Sequence, residues 1–382
     1  MILHLQKLLE KAISAGHPSI FRNPLRQFTA TPGDVVTVLD RRARFLCRGL
    51  AEDGPIGVSD FSTDDVPLDA ALFGERIRHA LQARDAMGLS DTTTLRLISG
   101  EGDRLPGVVL DRYGPYAVLL FDGGALDRWK ETICGILRSE LDARGTVTTL
   151  LFRTKRRHEK KVVALWGTLP EGDIGVLEHG MTLRVDLVNG QKTGLFLDHR
   201  DSRLRVRSLS RNRRVLNLYG YTGGFSVAAG LGGASDVTTV DSAPAAIALA
   251  GKSWLENGLD PARHTGVVAD VPEFMASRNA GDYDLVIADP PSFAPRKTAV
   301  EGALKVYRLL HASVLRVMPR GGLYIAASCS SHVTGAMFEA TLFDSARFCG
   351  RTLAVRDVWG AGRDHPVLKG FPEGDYLKVF QV

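Results

Sequence analysis

The sequence predicts an α/β protein with a doubly wound parallel sheet in its C-terminal half and smaller domains before it. First, 382 residues are more than one hydrophobic core usually holds, because domains run to about 100–200 residues. Second, short apolar runs alternate with helical stretches after about residue 185, which is typical of βαβ repetition. Third, 44% hydrophobic and 24% charged residues exclude a collagen-like repeat, a wholly disordered chain and a disulfide-rich miniprotein.

The N-terminal region is predicted to form a small β-rich module. From Gly33 to about Ser59, β-branched runs such as DVVTVLD alternate with polar turns, which is the pattern of short strands. The acidic stretch from Asp60 to Asp69 contains Pro67 and is predicted to be a linker. A mixed α and β domain is expected from about residue 70 to residue 180, with a hairpin turn at Gly114–Pro115.

The C-terminal half contains six apolar runs, each separated from the next by a helical stretch: RVLNLYG, DVTTVD, TGVVAD, DLVIADPP, GGLYIAAS and YLKVF. Strands that are buried on both faces have continuous apolar sequences, and helices connect parallel neighbours. This half is therefore predicted to be an open, doubly wound sheet of the Rossmann type, in which ligands bind at the carboxyl ends of the strands.

Positive charge is concentrated in two runs. Residues 153–161 carry six Lys and Arg side chains against Glu159, and residues 199–214 carry seven arginines against Asp201. In the second run, one set recurs at three- and four-residue steps and predicts one face of a helix: Arg200, Arg203, Arg207 and Arg211. Such a face suits a phosphate backbone, although a solvated helix surface is the alternative. Two runs around one candidate site favour a polyanionic partner.

No membrane or metal partner is predicted. No apolar run approaches the ~18 residues that a membrane helix needs, and Lys7 and Glu10 interrupt the N-terminal apolar stretch. We therefore expect a cytoplasmic protein. The cysteines form no CxxC pair, which argues against a zinc knuckle or a disulfide framework; they are Cys47, Cys134, Cys329 and Cys349.

The first three predicted strands end in residues that could bind a nucleoside. A glycine-rich turn, Leu218–Phe225, follows the first strand and opens a helix, so that a ligand can approach the backbone. Asp241 ends the second strand, where a carboxylate can accept both ribose hydroxyls. Asp270 ends the third, where it could accept a hydrogen bond from an adenine amine beside Val271. Each aspartate could instead be a helix N-cap.

The next two strands end in groups that could act on a base. The fourth ends in DPPSF, whose prolines stop the strand and stiffen the loop. There Asp289 could hold the edge of a flipped base while Phe293 packs on its face. The fifth ends in SCSSH, which places Cys329 at the same edge of the sheet. The other three cysteines are expected to be inert, buried side chains.

The stretch from Glu178 to Val382 resembles the class I S-adenosylmethionine-dependent methyltransferases, and most closely the bacterial large-subunit rRNA cytosine methyltransferases that make 5-methylcytosine. The motifs that carry the resemblance are GQKTGLFLDHRDSR, VLNLYGYTGGFS, TVDSA, ADPPSF, SCSSHV and DHPVLKGFPEGDYLK. Upstream, GHPSIFRNPL and GDVVTVLDRRARFLCRG resemble the PUA domain of that family, and LISGEGDRLPGVVLDRYG resembles its central domain. The resemblance implies a PUA-like RNA-binding domain over residues 1–68, a central α+β domain over 69–178 and a Rossmann-like methyltransferase domain over 179–382.

The resemblance also implies roles for individual residues. The methyl donor S-adenosylmethionine would be bound by Tyr219, Gly220, Tyr221, Gly223, Asp241, Ser242, Asp270, Val271 and Asp289. The substrate would be bound by Lys192, Asp198, Arg200, Pro290 and Phe293. Large-subunit rRNA would be the partner, and a homodimer stays open.

In this family a cysteine thiolate adds to carbon 6 of cytosine, which makes carbon 5 nucleophilic. The resemblance assigns that role to Cys329, with Asp289 holding the base edge. His332 is a conceivable proton acceptor, although a capping or surface position also fits it. Two alternatives are open: an N-methyltransferase that acts on guanine or adenine without an adduct, and an RNA-binding protein with a vestigial nucleoside site.

Overall fold

The computed structural model describes residues 1–26, 28–154 and 161–382. The chain divides into two compact units. The first comprises Met1–Gly172 with Leu187–Thr193 and Arg363–Gly374, and the second comprises Asp173–Asp186, Gly194–Gly362 and Asp375–Val382. The end of the predicted central domain, residue 178, therefore lies within the second unit. The run 155–160, which holds four of the six predicted RNA-binding cations, lies outside the described residues.

The first unit begins with a five-stranded sheet and one short helix. Their bounds are β1 Ile2–His4, α1 Glu10–Ser14, β2 Ser19–Phe21, β3 Val35–Leu39, β4 Phe45–Ala51 and β5 Ile56–Ser62. The strands are ordered β1-β3-β4-β5-β2. Alternating inward residues, among them Val36, Val38 and Cys47, form a core of their own. The predicted β-rich module is present, and its last strand extends into the stretch predicted to be a linker.

A second sheet and two helices complete the first unit. Their bounds are α2 Ala70–Asp85, β6 Thr94–Ser99, β7 Val108–Tyr113, β8 Tyr116–Phe121, α3 Lys130–Arg144, β9 Thr149–Arg153 and β10 Val162–Trp166. The strand order is β10-β9-β8-β7-β6. Asp69 caps α2 by accepting hydrogen bonds from the N–H groups of Ala71 and Leu72. The predicted turn at Gly114–Pro115 joins β7 and β8, which pair as an antiparallel hairpin.

The second unit contains a two-stranded hairpin and a seven-stranded sheet. Its elements are β11 Ile174–Glu178, β12 Met181–Val185, α4 Arg200–Leu209, β13 Arg214–Leu218, α5 Gly224–Leu231, β14 Asp236–Asp241, α6 Pro244–Glu256, β15 His264–Val268, α7 Val271–Ala276, β16 Leu285–Ala288, α8 Val300–Val317, β17 Leu323–Ser328, α9 Gly335–Phe348, β18 Asp357–Trp359 and β19 Lys378–Gln381. The sheet order is β15-β14-β13-β16-β17-β19-β18. This confirms the predicted doubly wound, Rossmann-like sheet.

The first five strands of this sheet are parallel. At one edge β19 pairs antiparallel with β17, and β18 pairs antiparallel with β19, so that β19 alone runs against the other strands of this sheet. Strands β16 and β17 are buried along their whole length, as the continuous apolar runs predict. Strand β18 was not predicted, because a three-residue segment that is mostly exposed has no apolar alternation to reveal it. No helix in the described part of the chain is long and apolar enough to cross a membrane.

Candidate active site

The candidate site lies at the carboxyl edge of the seven-stranded sheet. The direction of winding reverses between β13 and β16, which are neighbours in the sheet but far apart in the chain. This is the topological switch point, where doubly wound sheets bind their ligands. Because all five strands from β13 to β17 are parallel, the loops that follow them share this edge. The loops carry the glycine turn, Asp241, Asp270, Asp289 and Cys329.

The glycine turn has an unusual backbone. Tyr219 and Tyr221 have φ angles of 57° and 46°, in the left-handed region that non-glycine residues rarely adopt. Gly223, with φ of 76°, precedes α5, and a Cβ there would lie 2.6 Å from the Cβ of Ala250 on α6. Backbone strain of this kind is held in place by surrounding structure and is concentrated at functional sites. The sequence predicted the glycines but not the strained tyrosines.

Asp241 fixes this turn through its carboxylate. One oxygen, Oδ2, accepts a hydrogen bond of 2.9 Å from the N–H of Tyr221, and Oδ1 accepts one of 2.9 Å from the N–H of Ala243. The side chain therefore connects the end of β14 to the turn after β13 and to the start of α6. Ser242 lies between the two bonded segments. A carboxylate oxygen has a second lone pair, so both oxygens retain capacity to accept a ligand hydroxyl.

Asp270 precedes α7 but makes no side-chain cap hydrogen bond to it. The carboxyl is exposed, and it lies close enough to Tyr219 to act on its ionisation. Burial, with a smaller contribution from Asp270, raises the pKa of Tyr219 to about 12. The next residue, Val271, is buried in the core of the unit. An exposed acid without a capping role is available to a polar ligand, whereas Val271 anchors the start of α7 in the core.

The DPPSF loop after β16 is held by three contacts within the second unit. His199 Nε2 lies 3.0 Å from Asp289 Oδ2, and the imidazole is almost completely buried. Ser292 shares a hydrogen bond of 3.0 Å with Ser330. The ring of Phe293 packs on Tyr307 with centroids 5.0 Å apart. Pro290 is buried. The loop therefore presents a carboxylate that is largely buried but still reaches the surface.

The SCSSHV loop after β17 is anchored by a buried hydroxyl network. Tyr307 on α8 shares a hydrogen bond of 2.8 Å with Ser328 and one of 3.4 Å with Ser330. Burial raises the pKa of Tyr307, so the phenol stays neutral. Cys329, between the two serines, is half-buried, whereas His332 is exposed. Because Ser330 also bonds Ser292, the network ties the cysteine loop to the DPPSF loop.

Comparison with known proteins places this geometry in a family. A profile of S-adenosylmethionine-dependent methyltransferases matches residues 143–347, and one of PUA-like domains matches residues 3–57. The chain is 34% identical over 387 residues to the "Ribosomal RNA large subunit methyltransferase I" of Salmonella arizonae. This alignment covers 99% of this chain and 96% of that protein. The chain belongs to the family of S-adenosylmethionine-dependent methyltransferases.

Two solved structures show the same fold along the whole chain. One, SMU.776 complexed with SAH, has a TM-score of 0.87 at 26% identity and covers 100% of this chain and 98% of that chain. The other, described as a SAM-dependent methyltransferase from Streptococcus mutans, has a TM-score of 0.88 at 25% identity, with 100% and 99% covered. The methyl donor of this methyltransferase is therefore S-adenosylmethionine, as predicted.

The residues present fit such a donor. Asp241 retains acceptor capacity for ribose hydroxyls, and the uncapped carboxylate of Asp270 lies at the neighbouring strand end. The strained turn exposes backbone between the two tyrosines. The individual donor contacts stay predictions. Among the described residues, no group of three or more His, Cys, Asp or Glu side chains could hold a metal ion.

The predicted phosphate-binding face of α4 is wrong for two of its arginines. Arg200 is 2% exposed, and its Nε donates to Asp201 at 3.1 Å. Arg203 forms two hydrogen bonds of 2.6 Å with Glu178 at the end of β11. Both side chains are buried; Arg203 is paired with the buried Glu178, whereas the partner of Arg200, Asp201, is partly exposed. Arg153, from the other basic run, is also buried, and it donates to the carbonyl of Leu187.

Of two further predicted substrate residues, Asp198 makes a hydrogen bond within the second unit and Lys192 lies in the first unit. Asp198 is 3% exposed, and its Oδ2 accepts a hydrogen bond of 2.7 Å from the hydroxyl of Tyr376. It therefore fastens the segment before α4 to the segment before β19. Lys192 lies in the first unit, with φ of 47°, and its role in substrate binding stays a prediction.

Sequence reasoning missed three residues of the site: His199, Tyr307 and Lys378. His199 stood within the recognised LDHR motif and could have been suspected from it. Tyr307 lies in the middle of an amphipathic helix, where an aromatic residue predicts only core packing. Lys378 lies in the motif EGDYLK, and its Nζ donates to the carbonyls of Ser330 and Val333 at 2.6 Å. Only the fold reveals that these residues meet the DPPSF and SCSSHV loops.

Proposed function

We propose that this methyltransferase forms 5-methylcytosine in large-subunit ribosomal RNA through a covalent adduct between Cys329 and carbon 6 of the base. The observation that carries the proposal is that Cys329 and Asp289 directly follow the adjacent parallel strands β17 and β16. The names of the relatives support ribosomal RNA as the substrate, and the PUA-like match supports RNA binding.

The chemistry requires a nucleophile because carbon 5 of cytosine does not attack a methyl group readily. When bound, S-adenosylmethionine supplies an electrophilic methyl group. The thiolate of Cys329 forms a bond to carbon 6, and the electron pair of the 5,6 double bond becomes available at carbon 5. After carbon 5 has been methylated, its proton passes to a base or to water. The electron pair then restores the double bond and expels the thiolate.

Asp289 would hold the amine edge of the base during these steps. Its position is set by the buried imidazole of His199, 3.0 Å away, and by the two prolines that follow it. A preorganised carboxylate stabilises positive charge that develops on the ring without a reorganisation cost. Phe293 would pack on one face of the flipped base. The ring of Phe293 in turn packs against Tyr307.

The test is the replacement of Cys329. We expect Cys329→Ala to bind S-adenosylmethionine and RNA normally but to form no 5-methylcytosine, as measured by mass mapping of RNA nucleotides. Wild type incubated with donor and RNA that contains 5-fluorocytidine should form a denaturation-resistant adduct, because fluorine cannot leave carbon 5 as a proton. Cys349→Ala is the matched control, since Cys349 is also half-buried but lies at the far end of α9.

A variant Cys329→Ala that keeps methyl transfer within about tenfold of wild type would contradict the proposal. That loss corresponds to only ~1.4 kcal/mol of transition-state stabilisation, far too little for a covalent nucleophile. Attack by an exocyclic amine of guanine or adenine, held at the same Asp289, would then be the favoured chemistry.

A further inference from the structure

Lys378 lies directly beside the loop that carries Cys329. Strand β19 runs antiparallel to β17, and Lys378 is the register partner of Ser328, the residue before Cys329. From there its Nζ donates hydrogen bonds of 2.6 Å to the carbonyls of Ser330 and Val333. Those two carbonyls lie one and four residues beyond Cys329. One ammonium group therefore closes the whole loop between β17 and α9.

The same ammonium places charge next to the thiol. Lys378 is half-buried, and burial lowers its pKa to about 8, against the attraction of Cys329 and Asp375. Below that pH it is a cation, and a neighbouring cation lowers the pKa of a cysteine. Partial burial strengthens such an interaction because the surroundings screen it less than water does.

The other ionisable groups around the loop do not duplicate this charge. Tyr307 on α8 acts on Cys329, but burial raises its pKa and keeps it neutral. Asp289, at the end of β16, is an acid that is paired with His199. Asp375 precedes β19 and attracts Lys378 itself, whereas His332 is exposed. Lys378 is a cation that the structure holds against this loop.

We propose that Lys378 is a positioning residue that closes the Cys329 loop and, by its positive charge, favours the thiolate form of Cys329. Its catalytic meaning rests on the proposed function, because a thiolate matters only if Cys329 attacks the base. The charge effect itself can be measured without RNA or methyl donor.

The experiment is alkylation of the full-length protein with iodoacetamide, with labelling of Cys329 followed by peptide mass spectrometry across a pH series. We expect Lys378→Met and Lys378→Gln to raise the midpoint of the Cys329 profile by about one pH unit or more. At pH 7 labelling should slow about threefold for each unit, since the tenfold loss of thiolate is partly offset by the greater nucleophilicity of a more basic thiolate. Lys378→Arg should keep the wild-type midpoint, because it keeps the charge.

Lys305→Met is the matched control, since Lys305 is an exposed lysine of α8 paired with Glu301. Calorimetric titration with S-adenosylmethionine verifies the fold of each variant. Lys378→Gln keeps an N–H donor for the carbonyls, so it separates loss of charge from loss of the hydrogen bonds. An unchanged midpoint in folded Lys378→Gln or Lys378→Met would overturn the proposal.

The two proposals fail separately. A shifted midpoint together with a Cys329→Ala variant that still methylates RNA would refute the cytosine mechanism and, with it, the catalytic meaning of Lys378. An unchanged midpoint together with an inactive Cys329→Ala would refute the role of Lys378 and leave the nucleophile in place.

Discussion

At the scale of single residues, Asp241 holds the strained glycine turn and is the residue predicted to bind the ribose of the donor. A non-glycine residue in the left-handed region costs on the order of 1–3 kcal/mol, and Tyr219 and Tyr221 both adopt that conformation. Asp241 accepts the N–H of Tyr221 and so stabilises the turn in the shape that a ligand would meet. Its predicted role, accepting ribose hydroxyls, would use lone pairs that the backbone hydrogen bonds leave available on the same oxygens.

We expect Asp241→Asn to weaken S-adenosylmethionine binding by about tenfold or more. The amide loses one acceptor and the negative charge, and a hydrogen bond to a charged group contributes about 1.5–3 kcal/mol. Isothermal titration calorimetry measures the affinity. Asp236→Asn, at the exposed opposite end of β14, is the control and should bind like wild type. If Asp241→Asn also binds like wild type, the donor site lies elsewhere.

The residues that were predicted from sequence are those whose position follows from a strand end. Asp241, Asp289 and Cys329 each follow an apolar run, so their common edge follows from the parallel sheet alone. His199 and Lys378 could not be found in this way because each meets its partner across a long stretch of chain. Their contacts depend on side-chain packing, which periodicity does not encode.

At the scale of elements, α4 shows that periodicity predicts a face but not its direction. Arg200, Arg203 and Arg207 are on the helix at the predicted steps, whereas Arg211 lies beyond its end at Leu209. The predicted side faces inward at Arg200 and Arg203, and at Arg203 the end of β11 supplies Glu178 as a buried partner. A cluster of charge in sequence suggests solvent or phosphate, and only the position of a remote acid shows otherwise.

We expect Arg203→Ala to lower the free energy of unfolding by about 3–5 kcal/mol, because it leaves Glu178 as an uncompensated buried charge. Arg205→Ala, on the exposed side of the same helix, should cost about 1 kcal/mol or less, since its partner Asp357 is also exposed. Urea unfolding followed by circular dichroism provides both values. Equal losses for the two variants would show that the Glu178 pair does not stabilise the unit.

The edge of the large sheet is another feature that sequence analysis described only in part. The run YLKVF predicted a strand, and β19 is that strand. Its insertion between β17 and β18, with reversed direction, could not be predicted, because a short strand has many possible partners. The position of Lys378 next to the cysteine loop is a consequence of this insertion.

At the scale of the whole molecule, RNA binding is expected to depend on the basic run 153–161, of which Arg153 is buried and 155–160 lie outside the described residues. We expect combined charge reversal of Arg156, Arg157 and Lys160 to weaken RNA binding without changing donor affinity. The slope of log K against log salt should become shallower by up to ~0.9 for each lost phosphate contact. Titrations of RNA at several salt concentrations measure this slope.

A control with the same change in net charge reverses three exposed cations of the second unit: Arg263, Lys305 and Arg347. If both triple variants lose RNA affinity equally, the protein attracts RNA only through its overall charge, and the basic run has no specific role.

The place of β19 in the sheet also bears on how the enzyme is made. Strands β13 to β17 emerge from the ribosome in order and can pair with one another as they appear, since domains generally begin to fold during synthesis. β19 is translated after all of them, yet it lies between β17 and β18. The nascent chain can therefore assemble its donor-binding edge first, whereas the loop around Cys329 gains its clamp only when Asp375–Val382 has been translated. The two hydrogen bonds from Lys378 to the carbonyls of Ser330 and Val333 are thus among the last contacts of the sheet that synthesis makes possible.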